Sequence, residues 1–93
     1  MKEITVFVME GCPYCRNAEK AVAGLQAENE AYRDIKINWV DENRQNDIAR
    51  NYDYYYVPTF FYGQEKLYEA RPGDTYSIIL ENVKNAFDVV NRA

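Results

Sequence analysis

The sequence predicts an α/β domain of element order βαβαββα, with a four-stranded mixed sheet flanked by three helices. Three observations carry that expectation. Residues 3–9 and 57–62 are rich in β-branched and aromatic side chains and apolar on both faces, the pattern of central strands. Residues 13–28 and 76–90 repeat apolar positions at helical spacing. Gly63-Gln64 is a two-residue, glycine-containing link between strand-like runs, which signals a hairpin.

Each element follows from its residues. In the first strand Ile4, Val6 and Val8 face one way and Phe7 and Met9 the other. The first helix puts Cys15, Ala18, Ala21, Val22 and Leu25 on an inner stripe, with Arg16, Asn17, Glu19 and Lys20 outside. Residues 32–40 alternate Ile35, Ile37 and Trp39 with Arg33, Lys36 and Asn38, so this strand is covered on one face and belongs at an edge. Asp41 or Asn43 is the expected cap of a short helix running to about residue 52, with Ile48, Ala49 and Tyr52 at helical spacing. The strand over 66–70 is more polar and reads as the second edge. Arg71-Pro72-Gly73 breaks the chain, and Asp74 is the expected cap of a last helix whose inner face is Tyr76, Ile79, Val83, Ala86 and Val90. A right-handed βαβ crossover followed by a hairpin completes a single domain over 1–93, without repeats or linkers.

Both cysteines fall in Glu10-Gly11-Cys12-Pro13-Tyr14-Cys15, between the first strand and the first helix. With Cys12 as N-cap and Pro13 at the first helical position, the fixed proline φ suits the helix and its missing N–H costs nothing. A Cys12 thiolate placed there accepts from the amides of Tyr14 and Cys15 and gains from the positive end of the helix dipole. Such a site makes a sulfur nucleophilic. Cys15, on the inner stripe, is the expected sheltered partner in a dithiol–disulfide cycle.

Three blander readings compete. Structural zinc needs about four N or S ligands, and two cysteines with no histidine exclude an intramolecular site. A purely structural disulfide would close a loop of about four residues and constrain the unfolded chain by only about 2 kcal/mol. Two inert core thiols would not need a strand-to-helix junction, where a CxxC in an intracellular-looking chain favours redox chemistry.

Composition narrows the setting. A chain of 93 residues with 47% hydrophobic content supports one core. A net charge of −4 and no basic cluster argue against nucleic acid or an anionic membrane as partner. The apolar run at residues 4–9 is too short for a signal peptide or a membrane span, so the expected location is cytoplasmic. There, closely spaced cysteines are expected to be catalytic rather than structural.

With Cys12-Pro13-Tyr14-Cys15 after the first strand and Val57-Pro58-Thr59 opening the third, the chain resembles the glutaredoxins, within the thioredoxin fold, over essentially its whole length. The resemblance implies that Cys12 attacks, that Cys15 resolves the mixed disulfide, and that Pro13 and Tyr14 line the site. It implies a cis Val57–Pro58 bond and a Val57 backbone that pairs with glutathione or a protein segment. The implied partners are disulfide-containing or glutathionylated proteins, the implied electron donor is glutathione or thioredoxin reductase, no cofactor is bound, and a monomer is expected. Where the family commonly has a lysine before the first cysteine, this chain has Met9, Glu10 and Gly11; where it has Thr before Val-Pro, here stands Tyr56. In place of a Gly-Gly pair before the acidic cap is Arg71-Pro72-Gly73-Asp74. Asp74 is the implied partner of the glutathione amino group, and Arg71 is a candidate for the displaced positive charge. The Arg-Pro pair is also similar to redoxins that are reduced by thioredoxin reductase and serve ribonucleotide reductase. A docking module of the same fold, or an iron–sulfur carrier using one Cys12 per protomer of a dimer, are the alternatives to catalysis.

Two further features bear on the site. Glu10, two residues before Cys12, opposes a thiolate about 6–8 Å away by only about 0.5–1.5 kcal/mol at high effective dielectric, so it is expected to modulate the thiol and to repel glutathione carboxylates. Tyr52, Tyr54, Tyr55 and Tyr56 precede Val57. Helical spacing puts Tyr52 in the core, whereas three consecutive aromatics cannot all point inward and some of Tyr54–Tyr56 are expected as contact surface.

Overall fold

Strand β1 (Glu3–Val8) buries both of its faces, which requires a neighbour on each side and a layer above and below. The computed structural model, which describes residues 2–93, supplies these. β1 pairs in parallel with β2 (Lys36–Asp41) and antiparallel with β3 (Thr59–Tyr62), and β3 pairs antiparallel with β4 (Glu65–Glu69). The sheet order is β2-β1-β3-β4, a four-stranded mixed sheet with β1 and β3 inside.

On one face, helices α1 (Pro13–Glu28) and α4 (Tyr76–Arg92) cover Ile4, Val6, Phe60 and Tyr68 with Ala18, Ala21, Val22, Ile79, Val83, Phe87 and Val90. The other face has a smaller core of Phe7, Val40 and Phe61, closed by Ala49, Tyr52, Tyr54 and Val57. Phe7 is its centre, with Tyr52 at 4.7 Å and Tyr54 stacked at 4.9 Å between ring centroids. Each such pair contributes about 0.5–1.5 kcal/mol beyond area burial.

Four helices flank the sheet rather than three, giving the order βααβαββα. The additional one is α2 (Glu30–Arg33), created by Asn29. Its amide closes α1 on the Leu25 carbonyl, while its side-chain oxygen accepts the Ala31 amide at 2.9 Å. Tyr32 is therefore helical, not the start of a strand, and its buried ring sends the hydroxyl to Asp88 at 2.7 Å.

Other boundaries move for local reasons. The helix α3 (Asn46–Ala49) is one turn with Gln45 at its N-cap. Neither Asp41 nor Asn43 caps it, because the Asp41 carboxylate accepts the amides of Asn43 and Arg44 in the preceding turn. Strand β3 begins at Thr59 instead of Val57, since Pro58 offers no N–H to the ladder. Thr75, not Asp74, is the N-cap of α4, its hydroxyl accepting the Ile78 amide at 3.2 Å. Among the described residues no helix is long and apolar enough to cross a membrane.

The β3–β4 ladder carries a bulge. Phe60 faces Tyr68 but Phe61 faces Lys66, so Leu67 is the extra residue. In a regular strand, positions three apart lie on opposite faces. The bulge brings Lys66 to the side of Glu69, and the two form an ion pair at 2.8 Å.

Candidate functional site

Gly11, at φ +79°, lets the chain turn sharply from β1 into α1, and the Cys12 amide closes that turn on the Met9 carbonyl at 3.3 Å. Cys12 is the N-cap of α1, in extended conformation (φ −91°, ψ 113°), with Pro13 inside the first turn. Its Sγ accepts the Cys15 amide at 3.2 Å. The two amides expected at the sulfur reduce to this one, since the Tyr14 amide makes no such bond. One turn of helix sets the two Cα atoms about 5 Å apart, inside the range of about 4.4–6.8 Å that a disulfide spans.

The contrast between the sulfurs is narrower than an exposed attacker and a sheltered partner. Cys12 is 7% exposed and Cys15 3%, both as free thiols. Their chemistry still differs. Burial pushes the Cys15 thiol well above its ordinary value, its hydrogen bond to Cys12 and the nearby negative charges add to that, and a contact with the Met9 backbone opposes it. Burial and its neighbours therefore favour the protonated form of Cys15.

Around the pair, the Val57 carbonyl lies 3.9 Å from Cys12 Sγ, and the Val57–Pro58 bond is cis. The Tyr14 hydroxyl accepts the Gly73 amide at 2.8 Å, and its ring packs against the main core. Gly73, at φ +96°, follows Pro72 in a turn closed by the Asp74 amide on the Arg71 carbonyl at 3.0 Å. Asp74 is engaged within this turn: one carboxylate oxygen accepts the Tyr68 hydroxyl at 2.6 Å and the Arg71 amide at 3.1 Å. The Arg71 side chain is exposed and makes no ion pair among the described residues. Glu10 is exposed too, with its carboxylate 3.3 Å from Arg44, so its charge is shared with a cation that sequence reasoning had left out.

The tyrosine run divides. Tyr52 and Tyr54 turn inward onto Phe7, and the Tyr54 hydroxyl donates to Glu42 at 2.7 Å, a bond that with burial holds the phenol protonated. Tyr55 and Tyr56 turn outward, 85% and 51% exposed. Their two amides both donate to one oxygen of Glu69, at 2.5 and 2.7 Å. Thr59, the residue opposite Glu69 across the β3–β4 ladder, donates its hydroxyl to the Tyr56 carbonyl. Glu69 and Thr59 were not among the expected site residues. The only sequence signal for Glu69 was an acidic residue interrupting a strand pattern.

No family model matches the chain, and no curated protein matches it. A solved structure described as that of a malarial protein superposes with a TM-score of 0.60 at 16% identity, covering 90% of this chain and 94% of that one. At that identity the likeness is one of fold: an α/β chain with this sheet and these helices.

Proposed function

We propose that this chain is a glutaredoxin-like thiol–disulfide oxidoreductase of thioredoxin-like fold, acting through Cys12 and Cys15. The observation that carries the reading is the sulfur of Cys12 at the start of α1, accepting the Cys15 amide one turn away, beside a Cys15 thiol whose burial favours the protonated form. Cys12 thiolate attacks a substrate disulfide, and one substrate sulfur leaves as a thiolate that takes up a proton. Cys15 then loses its proton and attacks Cys12, expelling the second substrate sulfur, which is protonated in turn. Two electrons and two protons pass to the substrate, and a Cys12–Cys15 disulfide remains. An external thiol, either glutathione or thioredoxin reductase, returns the pair to the dithiol.

The substrates are protein disulfides or glutathione mixed disulfides, and the setting is the reducing cytoplasm. Val57, beside the sulfur, and Tyr56, next to it and half exposed, form the surface against which a substrate lies. The deciding experiment is reduction of the oxidised protein by glutathione compared with thioredoxin reductase plus NADPH. Regeneration of two thiols by either donor supports the reading, and resistance to both as well as to dithiothreitol contradicts it.

A further inference from the structure

Residues 53–57, which end at Val57 beside Cys12, make no backbone–backbone hydrogen bond outside regular elements among the described residues. A segment without ladder bonds needs side chains to hold its amides and carbonyls. Tyr52 and Tyr54 anchor its start on Phe7, but Tyr55 and Tyr56 have outward rings that contribute little anchoring. What fixes their backbone is one cross-strand pair: Glu69 takes both amides, and Thr59 donates to the Tyr56 carbonyl. Tyr56 is thus held from both of its peptide groups by residues that face each other across the sheet.

The carboxylate is itself fixed. The bulge at Leu67 turns Lys66 toward it, and the Lys66 ammonium takes the second oxygen at 2.8 Å. Burial works against the charge on Glu69, but the bonds from Lys66, Tyr55 and Tyr56 outweigh it and keep the carboxyl ionised below its ordinary range. A charged acceptor makes roughly twice as strong a hydrogen bond as a neutral one.

We propose that Glu69 is a positioning residue for polypeptide substrates: by holding the Tyr55 and Tyr56 amides it sets the Tyr55–Val57 segment beside Cys12 in the arrangement against which an extended chain docks. This rests on the oxidoreductase reading and adds to it the residue that sets polypeptide disulfides apart from small ones. A polypeptide disulfide brings flanking residues that use the tyrosine rings and the Val57 backbone. A small disulfide carries only its sulfurs to Cys12 and does not need the segment in place. Glu69 touches neither sulfur, so its effect is on docking and not on thiol chemistry.

The test compares single-turnover oxidation of the reduced protein by insulin and by hydroxyethyl disulfide, in wild type, Glu69→Ala and Glu69→Gln, with amide exchange at Tyr55 and Tyr56 followed by NMR. Glu69→Ala is expected to slow the insulin reaction about tenfold at sub-saturating concentration, the loss expected of charge-assisted bonds. The hydroxyethyl disulfide rate stays within about twofold on the same scale, and the two amides exchange faster. Glu69→Gln, which keeps a neutral acceptor, recovers part of the insulin rate. Should Glu69→Ala fail to fold, Thr59→Val, which removes the other hold on Tyr56, is expected to give the same split between substrates. Equal slowing of both substrates, or no change in either, overturns the proposal while leaving the oxidoreductase reading intact. A wild-type protein inert to both disulfides removes that reading, and the proposal with it.

Discussion

The hydroxyl of Tyr14 accepts the Gly73 amide proton at 2.8 Å, so one of the two residues between the cysteines is tied to the turn that precedes the last helix. That turn is in turn tied to the sheet, because Asp74 within it accepts the Tyr68 hydroxyl from β4. The start of α1, the turn and the edge strand therefore form one connected unit.

Tyr14→Phe removes the acceptor for Gly73 and nothing else in the described contacts. A lost hydrogen bond of this kind costs about 0.5–1.5 kcal/mol, or a fall in Tm of about 4–8 °C per kcal/mol in a domain of this size. Thermal unfolding measures it. Because the Cys12 sulfur's hydrogen-bond partners are the Cys15 amide and the Val57 carbonyl and not this hydroxyl, Cys12 alkylation is expected at the wild-type rate.

The roles of the two cysteines separate by substitution. Cys12→Ser is expected to abolish attack on disulfides. Cys15→Ser should still trap mixed disulfides through Cys12, since the thiol removed is the one that burial and its bond to Cys12 keep protonated. Peptide mapping after brief iodoacetamide treatment of the reduced wild type should find label on Cys12 first. Faster labelling of Cys15 would reverse the assignment.

Glu10 is expected to matter little. From sequence alone its charge opposed the Cys12 thiolate, but its carboxylate lies 3.3 Å from Arg44 with both side chains exposed. Exposed pairs of this kind are worth about 0–1 kcal/mol, and added salt screens what remains. Glu10→Gln should change Cys12 alkylation less than about twofold at physiological salt. A change larger than that would mean the carboxylate acts on the sulfur despite Arg44.

Acid stability depends on Glu69. Its carboxyl is held below the ordinary value of 4.5 in the folded chain by Lys66 and the Tyr55 and Tyr56 amides, against the effect of burial. Its ionised form therefore stabilises the fold above that pH, and the contribution is lost as pH falls through the lower folded value. Denaturant unfolding from pH 7 down to pH 3 should show wild type losing stability over this limb more steeply than Glu69→Gln. Parallel curves would show that the bonds to Glu69 carry no net stabilisation.

What was legible in the sequence was local. Cys12 as N-cap with Pro13 behind it, the inner stripe of α1, and the two-faced strands around Phe7 and Phe60 each follow from spacing within a few residues. The cap of α4 was missed by one residue because Asp74 and Thr75 both suit that position, and Asp74 had a competing claim from Tyr68 and Arg71. Helix α2 had its signal in Asn29 followed by Glu30, masked by the nearby strand pattern. Glu69 could not have been found this way, since its partners lie 13 and 14 residues away and its orientation depends on a bulge at Leu67. The Glu10–Arg44 pair, 34 residues apart, was hidden for the same reason.

The central claim is that Cys12 and Cys15 together carry two electrons to a disulfide. Mixing the reduced protein with excess insulin in the absence of any other thiol, then quenching with acid and counting thiols by mass spectrometry, measures it directly. The account predicts one insulin disulfide reduced per chain and one internal Cys12–Cys15 disulfide formed, with Cys15→Ser stopping at a covalent adduct on Cys12. Unchanged insulin beside a chain that keeps both thiols would contradict it.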